Sequence, residues 1–191
     1  DDKSCHKTIS ISDEFGAQFW SRFKTIVLQL NLILKIETNL EGKAKILTLL
    51  RKGYDLLSRI TSFYHPDVKF EIRDYLRELK VFNELIESSS LKDKIIGLEE
   101  VIESNLLLNE KIKSISSIIK NQARSKSVIV SKNNNSEDKK EAQRIIFDET
   151  NQKIEFIGLD ELKPSTLKNY DNAFFLHFSG KYTRTLFLLK F

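Results

Sequence analysis

The chain has 191 residues, 40% of them hydrophobic and 30% charged, with a formal net charge of +4. That length accommodates one good core or a helical part with an appendage, and so mild a charge does not by itself demand a nucleic-acid partner. A single cysteine, Cys5, excludes an internal disulfide framework and a cysteine-ligated zinc site, so the economical expectation is an intracellular setting, cytoplasmic or nuclear.

Six Gly and two Pro leave room for few tight turns and point to long helices. The chain begins Asp1-Asp2 and contains no Met, which reads as a processed or partial polypeptide. Its longest apolar stretch, Phe23 to Ile36, is broken by Lys24, Gln29, Asn31 and Lys35, so no transmembrane span is expected. Asn134-Asn135-Ser136 matches a glycosylation sequon, but nothing else points to secretion.

Residues 1–11 are polar and read as a flexible terminus. Ser12-Asp13-Glu14 resembles a helix start, and Phe15, Phe19, Trp20 and Phe23 then share one side of a helix, as core aromatics do. Thr25 to Thr38 is ambiguous. With period two, Ile26, Leu28, Leu30, Leu32, Leu34 and Ile36 share a face. With the helical period, Phe23, Ile26, Val27, Leu30, Ile33 and Leu34 form a wide apolar side against a stripe of Lys24, Asn31 and Lys35. Length and leucine content favour helix.

Lys43 to Tyr64 reads as a helix with Ile46, Leu50, Gly53, Leu57, Ile60 and Tyr64 four and three apart; Gly53 would admit a neighbouring backbone or simply weaken the helix. His65-Pro66 ends it, and Pro66 suits the first turn of the next helix, Asp67 to Glu87, with Val68, Ile72, Tyr75, Leu76, Leu79, Phe82 and Ile86 inward. Ser88-Ser89-Ser90 predicts an antiparallel hairpin, the alternative being a kinked rod.

Ser90 to Arg124 is predicted as a single amphipathic helix, about 50 Å long at ~1.5 Å per residue. Its seam is Leu91, Leu98, Val101, Leu108, Ile112, Ile115 and Ile119, with Lys94 and Asn105 as polar members. Asn105 either sets the register of a coiled coil or marks where the seam turns to solvent. So long a helix needs neighbours or a partner, which nominates Leu98, Val101, Asn105, Leu108, Ile112 and Ile115 as partner-binding residues.

SKNNNSEDKK, residues 131–140, reads as a linker closing a helical bundle over 12–130. Beyond it, Arg144–Phe147 and Lys153–Ile157 read as one β-hairpin, and Phe174–Phe178 with Tyr182–Lys190 as another, making 141–191 β-rich. The expected fold class is therefore α+β, mostly α: an antiparallel helical bundle with one long helix, followed by a small C-terminal antiparallel β element.

No phosphate loop, HExxH or nucleophile elbow is present, and neither a catalytic group, a cofactor nor a metal site is expected. His6 beside Cys5 lies in the polar terminus, and His177 alternates away from Phe174, Leu176 and Phe178. Arg59 followed six residues later by His65, at the end of a helix, resembles the Arg…His pair of HEPN-type ribonucleases; Ile60 departs from that family's usual polar residue. The resemblance implies a metal-independent ribonuclease acting at an RNA phosphate. Lys111, Lys113, Lys120, Arg124, Lys126 and Lys132 form a run without Asp or Glu. Bases there complement a helix dipole, or they face phosphate on nucleic acid or an anionic membrane. The leading expectation is a non-catalytic adaptor or scaffold in a multiprotein assembly. It would dock through amphipathic helices and the apolar C-terminal edge Leu186–Phe191.

Overall fold

The computed structural model describes residues 14–104, 109–122 and 125–176. These residues are mostly helical, with seven helices and one three-stranded sheet, and divide into two compact units. The first unit comprises, of the described residues, 14–61 and 65–104; the second comprises Ser62–Tyr64, 109–122 and 125–176.

The first unit is a ring of four helices: α1 (Glu14–Ile36), α2 (Leu40–Ile60), α3 (Val68–Ile86) and α4 (Ser89–Ser104), each packed on two others. Thr25 to Ile36 is thus helical. Asn39 starts α2 by accepting from the Glu41 N–H, and Glu87 ends α3 at a φ of 50°. Lys52 meets Glu78 and Arg59 meets Glu71, so α2 and α3 run in opposite directions. Phe19, Phe23, Ile26, Leu30, Ile46, Leu49, Ile72, Leu79, Leu91 and Ile95 fill the interior. Where α1, α2 and α3 meet, a Cβ on Gly53 would run into the Phe23 ring and lie 2.6 Å from the Tyr75 hydroxyl. A bare Cα is what lets these side chains close.

The predicted single helix over Ser90–Arg124 is instead two helices. α4 is described as far as Ser104, Asn109 is not helical, and α5 (Glu110–Lys120) belongs to the second unit. Asn109 precedes α5, and its side chain is taken by the backbone of Tyr64 rather than by a helix.

The second unit also corrects the C-terminal half. Residues 131–140 are no linker: they hold the end of β1 (Ser127–Ser131), a short loop and the first turns of α6 (Ser136–Thr150). Arg144–Phe147, expected as a strand, is helical. Asn135 accepts from the Glu137 and Asp138 N–H groups, Glu137 and Asp138 favour the positive helix end, and Ala142 and Ile146 point inward one turn apart. β2 (Glu155–Gly158), a short helix α7 (Pro164–Leu167) and β3 (Asn172–Phe175) follow.

The sheet order is β2-β1-β3 and both pairings are parallel, not antiparallel, with Ile129 opposite Phe156 and Phe174. A helix between parallel strands supplies the crossover that a tight hairpin cannot. As the central strand, β1 is buried on both faces, which suits the β-branched run Val128-Ile129-Val130. Ile129 joins Phe63, Ile112, Ile115, Ile119, Ala142 and Ile146; Val128 and Val130 join Ile157, Leu159 and Leu167 on the other side. Residues 177–191, with His177, Tyr182–Lys190 and the Leu186–Phe191 edge, lie outside the described residues, as do Cys5 and His6.

Ser62–Tyr64 is held in this unit by two asparagines. Asn109 Oδ1 accepts the Tyr64 N–H at 2.9 Å while its Nδ2 donates to the Tyr64 carbonyl. Asn133 Nδ2 donates to the Phe63 carbonyl and to Asp138 Oδ2, and all three asparagine and aspartate side chains are buried.

Two substitutions test this packing. Gly53→Ala is expected to destabilise the chain by about 1–3 kcal/mol through overpacking, although alanine is the better helix former by about 1 kcal/mol. Urea unfolding in which this substitution proved stabilising would disprove the close approach. Asn109→Ala strands a buried N–H and carbonyl of Tyr64, and a loss of at least about 2 kcal/mol is expected by the same measurement.

Candidate functional site

The inward side of α1 is complete with Gly16, Phe19, Phe23, Ile26, Val27 and Leu30. At about 100° per residue, Leu28, Leu32 and Ile36 then fall on the opposite side, one turn apart. They are 57%, 56% and 79% exposed. On α2, Leu40, Leu47 and Tyr54 stand two turns apart, 82%, 55% and 49% exposed. Tyr54 meets the Phe23 ring edge-on at 5.5 Å, so this second stripe runs along the flank of α2 that adjoins α1. Lys24 and Lys35 stand on α1 beside the first stripe, and Lys43 and Arg51 on α2 beside the second. Glu37 and Glu41 lie at the turn between the helices.

This surface is absent from the residues nominated by sequence, yet its signal was there. Apolar residues at every second position of a helix cannot all share one face, so the run Ile26, Leu28, Leu30, Leu32, Leu34 and Ile36 must place some outward. The nominated partner-binding residues lie elsewhere. Leu98 and Val101 on α4 are buried, and Ile112 and Ile115 on α5 sit in the core of the second unit. Their own chain covers these four, which removes them as a docking face. Asn105 and Leu108 lie outside the described residues.

The basic run is not gathered into one patch. Lys113 and Lys120 are exposed two turns apart on α5, whereas Lys111 is partly buried on another side. The Lys126 ammonium lies over the Tyr170 ring at 4.7 Å and is 4.0 Å from Glu155, whose carboxylate also accepts from the Tyr170 hydroxyl. Arg124 lies outside the described residues. Of the ribonuclease-like pair, Arg59 is committed to Glu71, and its side chain is only 12% exposed. His65 Nδ1 accepts the Asp67 N–H at 3.2 Å. Among the described residues no group of His, Cys, Asp and Glu is placed to hold a metal ion.

A cleft of about 290 Å³ separates α2 from α3, walled by the Lys52–Glu78 and Arg59–Glu71 pairs and by Asp55, Asp74 and Tyr75. Its four carboxylates outnumber its two cations, so it does not suit a phosphate. Among the described residues the buried Tyr75 hydroxyl has no hydrogen-bond partner, and it reaches under the cleft to the bare Cα of Gly53. Burial, and secondarily the Glu78 carboxylate, push its pKa far above that of an ordinary tyrosine. It is therefore neutral near pH 7 and packs as an uncharged group.

The chain matches no family model, no curated protein and no solved structure. Fold and site define a class only: a four-helix unit with an exposed apolar face, joined in sequence to a parallel α/β unit.

Because the Tyr75 hydroxyl has no partner among the described residues, Tyr75→Phe is expected to be neutral or stabilising by up to about 1 kcal/mol. Thermal or urea unfolding checks this, and a loss above that size would reveal a bond the hydroxyl makes in solution.

Proposed function

We propose that this chain is a non-catalytic protein–protein interaction subunit of an intracellular multiprotein assembly, docking through the outward face of the α1–α2 hairpin. The observation that supports the reading is where exposed apolar side chains concentrate. Among the described residues seven large apolar side chains are more than half exposed, and five of them, Leu28, Leu32, Ile36, Leu40 and Leu47, lie on α1 and α2. Scattered single apolar residues are ordinary on a surface, whereas aligned stripes mark contact with another macromolecule. The buried sides of α1 and α2 are taken by Phe19, Phe23, Ile26, Leu30, Ile46, Leu49, Leu50 and Leu57.

Binding to nucleic acid or an anionic surface is the weaker reading. Of the predicted bases, Lys113, Lys120 and Lys132 are exposed while Lys126 is engaged by Tyr170 and Glu155, and so few phosphate contacts give modest affinity and a shallow salt dependence.

Leu32→Lys combined with Leu40→Lys is expected to leave unfolding free energy within about 0.5 kcal/mol, since both positions are solvated. The same double variant is expected to lose the proteins that co-purify with the parent chain in affinity capture. Capture of identical proteins by both chains, or of none by the parent, would remove the hairpin from any interaction role.

A further inference from the structure

Charge on the same hairpin specifies what kind of partner it fits. Residues 14–60 carry eight Lys and Arg against four Asp and Glu, a formal charge equal to the +4 of the entire chain. Lys52 and Arg59 are neutralised by Glu78 and Glu71 of α3. Lys24, Lys35, Lys43 and Arg51 make no ion pair or hydrogen bond of their side chains within the described residues. These four border the two apolar stripes.

Resting on the interaction role proposed above, we infer that the hairpin receives an amphipathic helix of a partner protein whose apolar stripe is edged by carboxylates. Both stripes run along helix axes, about 12 Å from Leu28 to Ile36 and about 21 Å from Leu40 to Tyr54 at ~1.5 Å per residue. An elongated ligand of three to four turns matches that shape, in the manner of a helix laid on a helical surface. Its acids would meet Lys24, Lys35 and Arg51, and desolvation of those pairs by the flanking leucines would strengthen them.

Three other occupants fit less well. A second copy docked through the same face would set lysine against lysine about a two-fold axis. A nucleic acid would bury leucine and isoleucine against phosphates. An anionic bilayer would meet Glu37 and Glu41 next to Ile36 and Leu40, the two most exposed apolar side chains of the hairpin.

Two labelled helical peptides of about four turns, identical in their leucine stripe but edged with Glu or with Lys, test the inference against the full chain by fluorescence anisotropy. The Glu-edged peptide is expected to bind at least about tenfold more tightly, and less tightly as salt rises. In the triple variant Lys24→Glu, Lys35→Glu, Arg51→Glu, shown folded by circular dichroism, the preference is expected to reverse. Equal binding of the two peptides, binding of neither, a preference the triple variant retains, or tighter binding to phosphatidylserine-rich vesicles than to the Glu-edged peptide each overturns it. Affinity capture separates the two levels. Captured proteins lost with the double variant Leu32→Lys, Leu40→Lys but kept by the triple variant leave the interaction role standing and remove the acidic partner.

Discussion

The contact of Phe23 with the bare Cα of Gly53 is the constraint on which the helical unit turns. A helix can rotate about its axis until its largest side chains find room, and here the room is a missing methyl group. With Phe23 seated on α2, and Tyr75 reaching the same point from α3, the rotation of α1 is fixed. Phe19, Ile26 and Leu30 follow it inward, and Leu28, Leu32 and Ile36 are left outward. The exposed face is therefore a consequence of the core, not an independent feature. The close packing has an energetic counterpart in the Tyr75 hydroxyl, left without a partner among the described residues at a cost of up to about 1 kcal/mol. Burial of two aromatic rings, at roughly 25 cal/mol per Å² of apolar area, outweighs it.

The second unit is organised by a different requirement, that buried backbone groups find partners. Asn109 presents both halves of its amide to Tyr64, as a neighbouring strand would present a peptide group. Asn133 donates one amide group both to Phe63 and to the Asp138 carboxylate, which itself lies in the first turn of α6. A buried carboxylate beside a helix N-terminus and an amide donor has favourable surroundings on two sides. The loop after β1 is thus built from asparagines because asparagine can donate and accept at once. Asn133 and Asp138 form a satisfied buried pair, while Lys132, Asn134 and Asn135 are exposed and Asn135 caps α6.

That distinction explains which parts of the fold were legible from sequence. The regular four-and-three spacing of Ile46, Leu50, Gly53, Leu57 and Ile60 located α2, and Val68, Ile72, Tyr75, Leu79 and Phe82 located α3, because one buried side per helix leaves a clean period. The division between α4 and α5 was hidden by arithmetic. Val101 and Ile112 are eleven residues apart, close to three helical turns, so two stripes serving two cores line up as if one helix carried both. Arg144–Phe147 has strand-like composition, and only the cap at Asn135 and the inward Ala142 reveal the helix. Parallel pairing leaves only the short β-branched run Val128-Ile129-Val130 as a local trace. The strands β1 and β2 meet in register through a helix whose presence had to be recognised first.

The nominated docking residues that the structure describes are buried for a related reason. Searching for a docking face by apolar periodicity finds cores, since cores are what make periodicity regular. Leu98, Val101, Ile112 and Ile115 were conspicuous because they are buried. An interaction face on a helix appears instead as a breach of amphipathicity, apolar residues continuing around to the side the core does not need. In Thr25–Thr38 that breach took the form of an alternation resembling a strand. The flanking lysines carry the second half of the signal. A solvated helix usually balances its charges with pairs of opposite sign, and α1 between Phe15 and Ile36 has three cations and no carboxylate. Unbalanced charge next to exposed leucine leaves two kinds of interaction open on one helix, and the acidic amphipathic partner proposed above would satisfy both together.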